Sequence, residues 1–536
     1  MLGTLLRFRL RRDRLRLGLW VAVLFLLSLL IVSEVRDTFG TLASRVATLR
    51  ILLVTPAVLL FRGTPQGTSS GDFVAVLGLA FVALLVGLMS TFLVVRHTRA
   101  EEEDGQADAV AATAAGRRLP TLAVLLHVAL ADLLVTVAIA AGLLAGGLPV
   151  GGSVLLAAGC GMCGLVFAGV ALLLAQVLPT ARAANGASAA VVVAAYFVRG
   201  IGDAAGTPHP ETFTLTPAWP SALSPIGWAQ AIHPFADDDP APLLLGLVAS
   251  VVLAAAALAL AERRDVGAGL VAARRAREHA SAWLGGPFGL AVRLERLSLA
   301  GWIVGLVAFA ALMGGLSVAV VHQLDQAGPG IATVINRLGG SNGTIQQAFA
   351  NLGAQFGGVL AAAICVQAAQ RLRQEEAAGR ADAVLATATG RVRWLLSHLL
   401  LAALAAAVGL ELAGLVAGWL SDGGEVDSGT WLLAFLWQLP AALVFLGIVA
   451  LVFAVVPQAT VPAGWLVFAA AVYLGIFGPL SGVPDWARHL APFADVPAPA
   501  LPTTSYTGGA VLALAAVVLV VAAVVLFGRR DTRPVG

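Results

Sequence analysis

Few side chains in this sequence could do chemistry, and the densest groups of them occur twice. Residues 99–117 read RAEEEDGQADAVAATAAGR and residues 373–391 read RQEEAAGRADAVLATATGR. Aligned without a gap at an offset of 274 residues, 13 of 19 positions are identical. Glu101, Glu102 and Asp108 in the first copy, and Glu375, Glu376 and Asp382 in the second, supply carboxylates suited to charge-assisted pairing with arginine. Acids at the start of a helix are favoured by its dipole, and Thr98 with Glu101 has capping-box spacing. That accounts for a helix beginning near Arg99. It does not account for the repetition.

Other candidates are scattered. His127 and Asp132 fall in one apolar run and Glu411 in another, and ionisable groups at membrane depth are functional candidates. A proton relay would use them. Offset by 274, however, Leu401 and Ala406 stand opposite His127 and Asp132, so internal hydrogen bonding is the plainer expectation. Cys160 and Cys163 form a CxxC, but neither a second CxxC nor a histidine pair completes a metal set; with Cys365 they read as small residues packed in helices. Asp237, Asp238 and Asp239 read as a solvated acidic turn. No Ser-His-Asp ordering, paired carboxylates or GxGxxG context marks an enzyme. The sequence contains no lysine, whereas an ATP-hydrolysing P-loop needs one to reach the β/γ-phosphates.

The elements holding these residues are membrane spans. Hydrophobic residues make up 59% of the chain and charged residues 12%, against about 25% charged in an ordinary soluble domain; mean hydropathy is +0.90. The net charge of +3 is weak, and no nucleic-acid partner is expected. Apolar runs long enough to cross about 30 Å of hydrocarbon lie at roughly 17–34, 73–95, 119–146, 152–178, 183–202 and 241–261, then 298–320, 348–369, 395–420, 430–456, 460–480 and 508–528. The arginine-rich N-terminus lacks a cleavage site and reads as the flank of a retained first span. Segment 50–62 is too short to span and reads as re-entrant or interfacial.

Arginine placement sets the orientation. The clusters Arg7–Arg16, Arg96–Arg118, Arg182, Arg263–Arg277, Arg391/Arg393 and Arg529–Arg533 fall on one side if both termini are cytoplasmic. Arg199 sits at the other end of its span, with Asp203 four residues on as a partner. RLRLGLW at 14–20 resembles RLSLAGW at 296–302, and HPFADDDPAP at 233–242 resembles APFADVPAPA at 491–500. Six spans per half return the chain to the same side, so residues 1–270 and 271–536 read as parallel six-span repeats. Each carries a cytoplasmic helix, at 97–118 and 371–393. The loops 203–240 and 481–507 are expected to fold back on the membrane.

The repeated stretch resembles the cytoplasmic motif of ABC-2-type transporter permeases, E-x-x-G-x-x-[ED]-x-L-x-A-T-P-x-S-R. The first copy matches with Glu102, Gly105, Asp108, Ala112, Thr113 and Arg117, the second with Glu376, Gly379, Asp382, Leu385, Ala386, Thr387 and Arg391. The usual proline is Ala114 and Ala388. With RHTRAEEEDG, PTARAANG at 179–186, YFVRGIGD at 196–203 and SPIGWAQ at 224–230, the whole chain is similar to fused, twelve-span actinobacterial permeases of the polyketide-antibiotic (tetronasin-type) and multidrug exporters. The resemblance implies an all-α integral membrane permease in the cell membrane. It implies no cofactor in this chain, with ATP and Mg held by an ABC-type ATPase subunit present as two copies, and a lipophilic substrate. It implies that both motifs, Glu101 and Glu375 included, dock on that ATPase. On a helix Ala107, Val110, Ala111 and Ala114 form a small-residue stripe that could enter a partner's cleft. The second and fifth spans of each half would line the pathway. Phe92, Tyr196, Phe197, Arg199, Phe468, Tyr473 and Phe477 are its candidate residues, the aromatics suited to stacking on flat, apolar compounds.

Overall fold

A computed structural model describes residues 2–54, 56–107, 118–263, 269–270, 285–327, 343–421, 424–478 and 483–530. The chain is an all-α integral membrane protein, and twelve of its described helices are long and apolar enough to span. It divides into two compact units, Met1–Ala276 and Arg277–Gly536. The spans of the first are Leu2–Thr38, Ser70–Glu103, Leu119–Ala145, Val150–Val177, Ala181–Ala204 and Ala241–Arg263. Those of the second are Pro287–Ser317, Ile345–Ala377, Arg391–Leu420, Ser428–Val455, Pro457–Ile476 and Thr507–Arg529. Each predicted run lies on one of these helices. The largest difference is at the first, whose 37 residues reach about 55 Å at 1.5 Å per residue. The arginine-rich flank is therefore helix, continuous with the span.

Within each unit the same neighbours pack. In the first, span one lies on three, two on four and on five, and four on six; in the second, seven lies on nine, eight on ten and on eleven, and ten on twelve. Lipid tails are as apolar as leucine, so helices in a bilayer associate through close packing, which small residues permit. Span four shows this: a Cβ added at Gly161 would sit 2.1 Å from the Thr136 hydroxyl, and one at Gly164 2.7 Å from the Asp132 carboxylate. Span ten is interrupted between Leu436 and Leu439, just before Pro440, which has no N–H to give the helix ladder. Span eleven ends in a π-turn, Tyr473–Phe477.

The expected re-entrant segment is two short helices, Leu42–Val54 and Pro56–Phe61. It is pinned to span five. The Tyr196 hydroxyl donates to the Phe61 carbonyl, and the Arg199 guanidinium donates to the carbonyls of Arg62 and, at 3.1 Å, Leu60. Gly200 permits the approach, since a Cβ there would lie 2.2 Å from the Leu60 carbonyl oxygen. Gly200→Ala is therefore expected to cost about 1–3 kcal/mol, the usual penalty of overpacking, read as a lowered unfolding midpoint of the purified protein. An unchanged midpoint would mean that the segment gives way freely.

Both long loops pack on helices of their own unit. In 203–240, a hairpin pairs Thr207–His209 with Thr214–Thr216, and the helix Pro225–Gln230 packs on spans two, four, five and six. Phe235 wedges where Gly71 and Gly152 leave room, a Cβ at either falling within 2.5 Å of its ring. In 483–507, Phe493 stacks on Phe445 with centroids 5.2 Å apart, and Tyr506 meets Trp437 at 5.1 Å.

Candidate functional site at the arginine-bearing ends of the spans

In the first motif span two breaks at His97, which caps its main helix, Ser70–Arg96, and a short helix, Arg99–Glu103, completes it. It begins where expected but not by the expected device. The Thr98 hydroxyl makes no cap; it donates to the Val94 carbonyl at 2.7 Å, the back-bonding a threonine adopts when it continues a helix. The carboxylates are engaged at home. Glu101 accepts from Arg9 at 3.1 Å and Arg12 at 3.3 Å, and its Oε1 lies 2.8 Å from His97 Nδ1. Glu102 accepts from Arg99 at 2.7 Å. Glu103, which sequence reasoning passed over, accepts from the Ala181 backbone N–H at 2.7 Å and so ties the motif to the start of span five. Gly105 then turns the chain with φ +71°, a conformation glycine adopts without steric cost. Asp108, Thr113 and Arg117 lie outside the described residues.

The second motif repeats the arrangement with different partners. Glu375 pairs with Arg371 and Arg380, each at 2.8 Å, and the hydrogen bond from Arg380 to Glu375 raises that guanidinium's pKa above the usual arginine value. Glu376 pairs with Arg530 and, at 3.9 Å, with Arg373. Gly379, at φ +68°, caps the helix Arg380–Leu385. Arg391 donates to the Arg530 carbonyl at 2.6 Å.

The stripe can be followed in the second copy. The stripe Ala107, Val110, Ala111, Ala114 corresponds to Ala381, Val384, Leu385 and Ala388. Ala381 is buried, and Val384 and Leu385 pack against the unit's own core, while Ala388 is exposed. The face left to a partner carries Asp382, Ala383, Ala386 and Thr387, all four of them exposed. Of the first stripe, Ala107 is half-buried, and the rest lies outside the described residues.

Beneath the first motif lies a group of charges that the sequence did not disclose. Asp13, fully buried on the first helix, is hydrogen-bonded to His97 and lies 3.1 Å from His127 Nε2 and 3.1 Å from Arg96 Nε. The two imidazoles meet edge to face with centroids 5.0 Å apart. Asp13, His97 and His127 offer ligand atoms within 4.8 Å of one another, so they are the described residues best placed to hold a metal ion. In this structure both histidines bond to Asp13. Glu101–His97–Asp13–His127 is thus a continuous polar chain from the motif into the helix bundle. The second unit has a shorter version, Glu295 Oε1 lying 3.0 Å from His398 Nδ1. The available signal was the repeat itself, since Asp13 and Glu295 immediately precede its RLRLGLW and RLSLAGW segments.

Of the suggested relay, His127 and Asp132 have different partners. Asp132 accepts from the Ser90 hydroxyl at 2.5 Å, His127 belongs to Asp13, and Glu411 is exposed on a span of the other unit. Among the pathway candidates, Tyr196, Phe197 and Arg199 come together. Tyr196 and Arg199 are buried, Arg199 stacks 4.7 Å above the Tyr196 ring, and it pairs with Asp203 at 2.9 Å as its spacing suggested. Phe92 and Tyr473 are exposed. Phe468 is half-buried against Phe445 at 5.8 Å, and Phe477 falls at the end of the π-turn.

A family model described as the C-terminal domain of multidrug efflux system permease Rv1217c matches residues 284–528. Aligned over 541 residues, the chain is 34% identical to the multidrug efflux system permease protein Rv1217c of Mycobacterium tuberculosis (strain ATCC 25618 / H37Rv). The chain belongs to this family of multidrug efflux permeases. The alignment takes in 99% of this chain and 95% of that relative, so both six-span units and both motifs fall within it.

Proposed function

We propose that this chain is the membrane permease of an ABC-2-type exporter that moves lipophilic compounds out of the cell, driven by a separate ATPase subunit bound at residues 97–118 and 371–393. One observation carries the reading: a polar motif stated twice in a permease that has no lysine with which to build a P-loop of its own. Two motifs suit two ATPase copies, and the arginine clusters favour both lying on the cytoplasmic side with the termini. The relative's name, a multidrug efflux permease, supports a broad range of lipophilic cargo, and polyketide antibiotics of the tetronasin type fit it. Exposed aromatics at Phe92 and Tyr473 are positions where such cargo can stack. Proton coupling through His127, Asp132 and Glu411 is the weaker reading, because His127 is bonded to Asp13 and Asp132 to Ser90.

The geometry also refines how docking works. Glu101, Glu102, Glu375 and Glu376 hold the motifs in shape through internal arginines, while the face around Asp382, Ala383, Ala386 and Thr387 meets the partner. Purified alone, the chain should hydrolyse no ATP; co-expressed with its ATPase subunit, it should carry two copies. Ala383→Trp with Ala386→Trp should reduce bound ATPase and drug-stimulated turnover by about tenfold or more, the scale of losing a central contact. Undiminished binding in that double variant would move the docking surface elsewhere.

A further inference from the structure

On the second unit, spans nine, ten and twelve leave an apolar groove of about 1290 Å³ between them. Its walls are leucine, valine and alanine, with Phe288 at one end and Trp437 along one side. Of the residues lining it, one is charged, Arg393, and none is acidic. Arg393 is exposed and has no acidic partner among the described residues, unlike the motif arginines around it, which are engaged by Glu375 and Glu376.

We infer that this groove holds one anionic phospholipid, with its phosphate on Arg393 and its acyl chains along spans nine, ten and twelve. Two features select this occupant. The volume exceeds the roughly 300–1,000 Å³ of sites for drug-sized ligands, as two acyl chains require. The charge stands at the rim, on the first turn of span nine, where a headgroup lies, and basic residues there attract anionic lipid. The groove shares Gly390, Val392 and Arg393 with the end of the 371–393 stretch but includes none of Asp382, Ala383, Ala386 and Thr387, and its occupancy does not depend on which compound is transported.

Native mass spectrometry of the full-length permease, delipidated and then supplied with phosphatidylglycerol or phosphatidylcholine, tests the assignment. One phosphatidylglycerol should be retained in preference to phosphatidylcholine. Arg393→Gln should cut that preference about fivefold, what one basic residue near anionic lipid supplies. Ala403→Phe should remove the retained lipid of either kind, and Ala513→Trp, filling the groove from span twelve, provides the same result should the first variant fold poorly. Equal retention of both lipids by the unaltered protein would overturn the proposal. So would full retention in a well-folded groove-filling variant. A dimer that Ala513→Trp dissolves, or displacement of the lipid by an uncharged lipophilic drug at equal concentration, would assign the groove to another occupant.

Discussion

Asp13→Ala should destabilise the first unit by about 3–5 kcal/mol, the cost of removing one partner from a buried charge group. The reason lies in how many elements meet at that carboxylate. It is completely enclosed and faces His97, His127 and Arg96, on the second and third spans. Alanine would leave cationic and imidazole groups facing one another without their acceptor. It would also cut the chain leading from Glu101 into the bundle, so the first motif should loosen as the unit weakens. Glu295→Ala should cost less, because Glu295 is slightly less enclosed, at 6% exposure, and its ion pair is with His398 rather than with three basic groups at once. Unfolding midpoints in detergent, with the rate of tryptic cleavage at the arginines of 99–118, measure both effects. A wild-type midpoint and cleavage rate in Asp13→Ala would show that the cluster holds nothing together.

Arg199→Leu is expected to be of similar size, about 3–5 kcal/mol, and to act on a different element. Arg199 serves three acceptors at once, the Asp203 carboxylate and the carbonyls of Leu60 and Arg62. Leucine fills much of the volume but strands all three. Asp203 keeps the Ser221 hydroxyl, at 2.7 Å, so it is left underserved rather than bare. Tyr196→Phe removes a single neutral hydrogen bond to the same segment and should cost about 1 kcal/mol. Since both residues hold residues 56–62, the double variant should depart from additivity. The expected signature of Arg199→Leu is rapid tryptic cleavage after Arg62 together with a lowered midpoint. Cleavage as slow as in the unaltered protein would show that the re-entrant helices are held by their own packing.

What could be read in advance follows a simple physical division. A span is announced by some twenty consecutive apolar residues, so all twelve were legible, and so was the short segment that could not cross. Arg199 and Asp203 stand one helical turn apart, and that spacing alone suggests a pair. Asp13 is different: its partners lie 84 and 114 residues away, and no local pattern joins them. The Thr98 cap failed for a related reason, since capping-box spacing describes a helix that begins afresh, whereas here the chain has just left the main helix of span two. The stripe at 107–114 is apolar and small in sequence, but periodicity cannot say whether such a face meets a partner or its own core. In the second copy the core takes Ala381, Val384 and Leu385 and leaves Ala388 exposed.

The two carboxylate–histidine pairs do not share a numbering. Across the motif the two units are offset by 274 residues, at Asp13 and Glu295 by 282, and at His127 and His398 by 271. No single offset aligns them, yet in each unit an acid on the first span meets an imidazole on the third, at 3.1 and 3.0 Å. The same kind of contact is therefore reached from different registers and in different surroundings, with His97 and Arg96 joining it in the first unit.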